Sequence, residues 1–255
     1  GQPEIDTLVI SASEPGSLEY LPTLPKLRRL VIGNWDSRKA GPLPAGLHGL
    51  KSLVIGTNKM TDLSVLKTAP AGLEELTICN VNESVSLAGL ENMSNLRALI
   101  LMMDKDESAQ PLPDLAALPK LRWLGLPPWI NQEQLASVVK SLPDLEILQL
   151  TETEKPIDLA PLGGLGKLYG LVLGGTYKDL DIVRTLKSLR FLGISEESWP
   201  ESPEEIAAIR AALPDAVVIR IEPTCLGSGW LLLFLPLLGL AWLRHQRRQP
   251  PARAA

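Results

Sequence analysis

The sequence predicts an α/β solenoid, with a curved parallel sheet on its concave face and turns and short helices on its convex face, followed by one transmembrane helix. Two observations predict it: a unit of about 23 residues that recurs through residues 5 to 222, and an uncharged run of 18 residues near the C-terminus. Taking the first apolar position of each unit as its mark gives Ile5, Leu27, Leu50, Leu73, Leu96, Leu121, Leu145, Leu168, Leu189 and Ala216, spaced 22, 23, 23, 23, 25, 24, 23, 21 and 27 residues apart. Three and five residues past each mark stand further apolar residues: Leu8 and Ile10, Leu30 and Ile32, Leu53 and Ile55, Leu76 and Ile78, Leu99 and Leu101, Leu124 and Leu126. The series continues with Leu148 and Leu150, Leu171 and Leu173, Leu192 and Ile194, and Ile219 with Ile221. Each unit is a short strand whose apolar side chains have no core until a neighbour stacks on it, so the array folds as stacked turns.

The returning segments carry a second apolar pair, as in Leu63 and Leu66, Leu87 and Leu90, or Leu159 and Leu162. At roughly 1.5 to 3 kcal/mol per buried aliphatic side chain, the stack needs no disulfide or metal to hold it. The L-x-x-L-x-[LI] pattern resembles the leucine-rich repeat family over residues 5 to 222, in a divergent, bacterial-type form. The family commonly places an asparagine eight residues past the mark, bonding backbone groups of adjacent turns. Here only Asn58 holds that place, against Trp35, Val81, Asp104, Trp129, Thr153, Thr176 and Glu197 elsewhere, with Asn34 and Asn80 as neighbouring substitutes.

Two units are lengthened by helices on the convex side. Asn131 precedes Gln132, Glu133 and Gln134, with Leu135, Val138, Val139 and Leu142 on one face and Pro143 as the stop. Ser202, Pro203, Glu204 and Glu205 supply an N-cap residue, a first-turn proline and acids at the positive helix end, ahead of Ile206, Ile209 and Leu213. Other units return through Pro- and Gly-rich segments such as Pro42 to Gly46 and Leu162 to Leu165, which suit turns or brief 3₁₀ pieces.

Residues 223–225 then form a juxtamembrane linker, 226–243 the transmembrane helix and 244–255 a basic cytoplasmic tail. Leu226 to Leu243 is at the short end of what crosses a bilayer, roughly 17 to 25 apolar residues, with Trp230 and Trp242 near its two ends. Arg244, Arg247 and Arg248 follow at once, and positive residues stay on the cytoplasmic side. The solenoid is therefore expected outside the cytoplasm, in the periplasm or at the cell surface, which requires an export signal upstream of Gly1. Cys225, the apolar run and the Arg cluster together resemble the three-part C-terminal sorting signals of bacterial surface proteins, which implies processing at Cys225; lipidation of that thiol is a variant of the same idea.

Residues 1–225 carry 21 Lys and Arg against 29 Asp and Glu, a net charge of −8, without a basic stripe, which argues against nucleic-acid binding. Cys79 and Cys225 are the only cysteines, one within the array and one in the linker after it. The two histidines, His48 and His245, have no neighbours at metal-ligand spacing, and no nucleophile-base pairing stands out. Gly163 with Gly164 and Gly174 with Gly175 lack the lysine and the strand-to-helix context of a phosphate loop. The chain is therefore expected to be no enzyme and to need no cofactor or metal.

Strand alternation places the second, fourth and sixth residues past each mark on the concave face. The fourth column reads Val9, Val31, Val54, Thr77, Ile100, Gly125, Gln149, Val172, Gly193 and Arg220. With the flanking columns it puts Ile100, Met102, Trp123, Ile147 and Phe191 together as an exposed apolar patch, beside small residues that permit close approach. The expected function is membrane-anchored, non-catalytic recognition of a protein or peptide on that face. The alternative is a structural or adhesive cell-envelope protein that binds surface polysaccharide and is re-anchored at Cys225. Processing at Cys225 predicts an intact mass below that of the full chain for protein purified from a bacterial envelope; the full-length mass would argue against it.

Overall fold

A computed structural model describes residues 4–57, 63, 66–80, 86–103, 111–153 and 155–221. The described residues, from 4 to 221, belong to one compact unit. The linker, the apolar run 226–243, the basic tail and Cys225 lie outside the described residues. Among the described residues no helix is long and apolar enough to cross a membrane.

The repeat pattern becomes twelve described strands: β1 (Thr7–Ser11), β2 (Arg29–Gly33), β3 (Ser52–Thr57), β4 (Glu75–Asn80), β5 (Ala98–Met103), β6 (Trp123–Leu126), β7 (Ile147–Leu150), β8 (Ile157–Asp158), β9 (Gly170–Leu173), β10 (Tyr177–Lys178), β11 (Phe191–Ser195) and β12 (Val217–Ile221). Ten of them form a parallel sheet in chain order, while β8 and β10 pair separately on the returning side. This is the architecture of a leucine-rich repeat solenoid. The third residue past each mark sets its register: Leu8, Leu30, Leu53, Leu76, Leu99, Leu124, Leu148, Leu171 and Leu192 stand side by side. From Leu30 to Leu192 every one of them is fully buried. The returning leucines, among them Leu63, Leu66, Leu87, Leu90, Leu159 and Leu162, close the same core from the other side.

The backbone repeats as faithfully as the side chains. The carbonyls of Asp6, Arg28, Lys51, Glu74, Arg97, Arg122, Glu146 and Tyr169 each accept two N–H groups from the next turn, at 2.7–3.1 Å. Each mark from Leu27 onward also closes its turn by donating to the carbonyl three residues earlier, as Leu50 does to Leu47 at 3.0 Å. Buried N–H and C=O groups need partners, and this arrangement supplies them at every step between turns.

The last unit breaks the rule and corrects the sequence reading. Ala216 closes its turn normally, donating to Leu213 at 3.0 Å, but the strand begins one residue sooner: only Val217 donates to Arg190, at 2.9 Å. Leu192 therefore pairs with Val218, and Gly193 with Ile219. A one-residue slip sends every side chain to the opposite face. Val218 is in the core, Ile219 is on the outer face at 40% exposure, and Arg220 leaves the outer column to pair with Glu196. Apolar residues at 217, 218, 219 and 221 gave the sequence pattern no means to choose between registers.

Both long helices stand where the caps place them. α1 (Ser37–Ala40) is a single turn, whereas α2 (Gln132–Ser141) and α3 (Pro203–Ala212) run for ten residues each. Asn131 Oδ1 accepts from the Gln134 N–H at 2.9 Å, and the Gln134 side chain accepts from the Asn131 N–H at 2.9 Å, a reciprocal capping box. Ser202 caps α3 by accepting from Glu205, at 3.4 Å. Gln132 also exchanges two hydrogen bonds with the backbone of Asp158 in β8, which ties α2 to the following turn.

The missing asparagine ladder is replaced by local devices. Trp35 fills its ladder place as a fully buried side chain, its indole donating to the Gly41 carbonyl at 3.1 Å. Trp129 and Thr153 are likewise turned inward, Thr153 donating to the Lys155 carbonyl at 2.9 Å. Asn34 does not substitute for the ladder: it is exposed and supplies a left-handed turn at φ 50°. In the later turns the Gly175 N–H donates to Ser195 Oγ at 2.9 Å, while the Tyr177 hydroxyl donates to the carbonyls of Thr151, at 2.5 Å, and Gly174, at 3.1 Å. Burial, reinforced by the nearby Glu152 charge, pushes the Tyr177 phenol above its ordinary pKa.

The core is graded from middle to end, because Leu8 is only half-buried at the first strand while Leu124 is fully buried at the sixth. Leu124→Ala is expected to cost about 3 kcal/mol and Leu8→Ala less than half as much, read as shifts of the urea unfolding midpoint. Equal costs would show that the described first turn is better covered than its exposure indicates.

Candidate recognition surface

The outer face of the sheet is built from three columns that strand alternation points away from the core. From β3 to β11 the first reads Ser52, Glu75, Ala98, Trp123, Ile147, Gly170 and Phe191, and the second reads Val54, Thr77, Ile100, Gly125, Gln149, Val172 and Gly193. The third carries Gly56, Cys79 and Met102 in the earlier strands. Glu75 is the single charged residue among them.

All five apolar residues expected here do lie on this face, yet they do not stand out from it. Trp123 and Ile100 are only 7% and 8% exposed, whereas Met102, Ile147 and Phe191 are partly exposed. The expectation of an exposed patch is corrected for Trp123 and Ile100, and the reason is the size of their neighbours across the strands. Ile100 occupies the space that Gly125 leaves empty: a Cβ there would meet Ile100 Cγ2 at 2.9 Å. Ile147 covers Gly170 in the same way, at 3.3 Å, and Ile221 covers Gly193. Trp123 pairs with Ala98, whose methyl is itself buried although it faces outward. Large side chains laid over small ones give a face of low relief.

The indole N–H of Trp123 is buried and meets no acceptor among the described residues, as is true of Trp129. Orphaned donors of this kind cost about 1–3 kcal/mol each. The most exposed large apolar residues are elsewhere: Val9 at 61%, Val217 at 59%, Tyr20 at 43% and Ile219 at 40%, all in the first and last described turns. Val9, Val217 and Ile219 lie on β1 and β12, the edge strands of the described sheet, where each has a strand neighbour on one side only.

Gln149 was present in the outer column but carried no signal in the sequence. In the structure it is a half-buried amide in the middle of this face, and its side chain makes no hydrogen bond among the described residues. Charged residues stand just before the strands, at the rim, where Lys51 meets Glu74 at 2.9 Å one position before the first column and Lys167 meets Asp144 at 2.6 Å three positions before it. Lys167 holds the Asp144 carboxyl below its usual range, first by its hydrogen bond and then by its charge. The rim thus pairs its own charges and leaves Glu75 as the one charge on the face from β3 to β11.

No protein-family model matches the sequence, and no curated protein matches it. Solved structures that it resembles include leucine-rich repeat proteins and internalins. An internalin from Listeria monocytogenes aligns with TM-score 0.46 and 19% identity over 80% of this chain and 65% of its own. A leucine-rich repeat protein from Leptospira interrogans aligns with TM-score 0.47 and 20% identity over 79% of this chain and 56% of its own. The functional domain of a second Listeria monocytogenes internalin, InlJ, which includes a cysteine ladder, aligns with TM-score 0.41 and 14% identity over 85% of this chain and 53% of its own. The chain thus spans less than two thirds of the length of each.

Little on the described surface is arranged for chemistry. Among the described residues no group of three or more His, Cys, Asp and Glu side chains gathers to hold a metal. An open groove of about 780 Å³ in the last turn is lined by Trp199, Ile206 and Arg210 and contains the Arg220–Glu196 ion pair, without a nucleophile beside a base. Cys79 is the one described thiol. It lies 4.0 Å from the Met102 sulfur, and burial pushes its pKa up to about 11. Since the thiolate is the reactive form, Cys79 in the folded chain is expected to alkylate with iodoacetamide at pH 8 at least tenfold more slowly than in urea, followed by peptide mass spectrometry. A rate unchanged by unfolding would show that Cys79 is open to solvent and its thiol unshifted.

Proposed function

We propose that this chain is a membrane-anchored, non-catalytic recognition module that docks a protein or peptide on the outer face of its sheet. The observation that supports the docking face is its lack of charge: from β3 to β11 it carries Glu75 alone, with Met102, Ile147, Val172 and Phe191 partly exposed. Charge depletion with aromatic and Met enrichment is the compositional mark of an interface core. The same observation weighs against a polysaccharide ligand, which needs several convergent hydrogen-bonding groups. Ser52, Thr77 and Ser195 are all less than a tenth exposed, and the Thr151 hydroxyl already donates to the Leu126 carbonyl at 3.2 Å.

The anchor rests on the sequence: an uncharged run from Leu226 to Leu243 with Arg244, Arg247 and Arg248 directly after it. That order places residues 1–222 outside the cytoplasm in a single-pass arrangement. Four residues, Glu222 to Cys225, separate β12 from the apolar run in the sequence.

A photocrosslinking amino acid in place of Ile147, on the outer face, or of Glu133, exposed on α2, tests the assignment in intact cells. One defined protein adduct from position 147 and none from position 133 is the expected result. Adducts from both positions alike, or from 133 alone, would move the recognition surface away from this face, and enrichment of envelope polysaccharide at position 147 would favour the adhesive reading.

A further inference from the structure

We infer that Gln149 is the hydrogen-bonding centre of the outer face and that it reads the backbone N–H and C=O of one residue in an extended segment without charged side chains; this rests on the protein- or peptide-docking reading above. Gln149 sits on β7, in register with Gly125 on one side and Val172 on the other, with Ile147 two residues earlier on the same face. Neighbouring strands are about 4.8 Å apart, so Gly125, Val172 and Ile147 flank its amide on three sides, with Thr151 on the fourth. The amide is half-buried and unbonded among the described residues. Other polar side chains nearby are already used, Thr151 by the Leu126 carbonyl and Ser195 by the Gly175 N–H. Glu75 is three strands away, on β4.

The chemistry of the occupant follows from what this amide can offer. A glutamine side chain presents one acceptor and two donors, and each residue of an extended segment presents its own N–H and C=O on one edge of the backbone; the two pair reciprocally. A hydroxyl-rich ligand would find a single polar group where it needs several. A charged segment would lose hydration over apolar surface on a face whose one charge from β3 to β11 is Glu75, which is costly. The low relief made by Ile100 over Gly125 and Ile147 over Gly170 suits an extended backbone that lies flat. Affinity then comes from apolar contact, and position along the peptide from Gln149.

The test uses the full chain in detergent against an array of acetylated, amidated hexapeptides composed of Val, Ile, Ala, Ser, Thr and Gln. Matched peptides carry Asp or Lys at alternate positions, and a further set is N-methylated at one peptide group at a time. The uncharged peptides are expected to bind and the charged ones not. Gln149→Ala, with an unchanged unfolding midpoint, should weaken binding roughly tenfold or more. Gln149→Glu, which keeps the shape but removes both donors and adds charge, should do the same. One N-methylated position should weaken binding to the wild-type chain by a similar factor and weaken Gln149→Ala no further. Uncharged peptides that bind Gln149→Ala as well as wild type overturn the inference and leave the docking face standing. Equal binding of charged peptides overturns it as well, and no binding by any peptide overturns the peptide-docking reading with it.

Discussion

The structure depends on one constraint: a strand with two or three apolar residues on one side cannot bury them alone. Stacking at a fixed spacing is the solution, and it dictates the rest. Each leucine of the central column must lie beside the leucine of the turn before and after it, which forces parallel strands and a common register. Common register in turn brings the carbonyl just before each strand opposite two N–H groups of the next turn. Side-chain burial and backbone hydrogen bonding are therefore one arrangement, and the core needs no cross-link. At the ends of the described array it has a neighbour on one side only, and that is where Val9, Val217 and Ile219 are left exposed.

The outer face obeys the same spacing without the same demand for burial. Side chains about 4.8 Å apart across strands cannot all be large and upright, so large residues lean over small ones. Ile100 over Gly125 and Ile147 over Gly170 are two instances, and Trp123 beside Ala98 is a third. This packing lowers relief and hides apolar area that the columns alone would count as exposed. What remains is a smooth surface on which Met102, Ile147, Val172 and Phe191 are partly accessible, bordered by charged residues that pair with each other.

Much of this was legible in the sequence, for reasons that can be named. The strand columns were legible because their period is local and repeats, and α2 and α3 because Asn131 and Ser202 are N-cap residues whose effect is settled within one turn. The outer position of Trp123, Ile100, Met102, Ile147 and Phe191 was legible from alternation. Their exposure was not, since it depends on glycines and alanines one turn away in space. The β12 register was not legible either, because Val217, Val218, Ile219 and Ile221 satisfy both faces and the missing residue shows only in which N–H groups reach Arg190. Nor was the substitute for the asparagine ladder: Trp35, Tyr177 and Ser195 each solve it with a different group, so no repeated symbol marks the solution.

A smooth, uncharged surface has a weakness as a recognition site, because apolar contact is non-directional and grows with area. Such a face would hold many segments in many registers with similar affinity. Directionality has to come from polar groups, and an unpaired polar group is expensive only when a partner covers it. Gln149 is placed where that asymmetry acts: half-buried in the free chain, its amide can still reach water, but under a docked segment it must find a partner or go unbonded. The penalty for a mismatched segment is thus incurred only on binding, which lets the free fold keep a polar group in an apolar setting at little cost. Specificity on this face is set by what Gln149 is left facing, and affinity by the apolar residues around it.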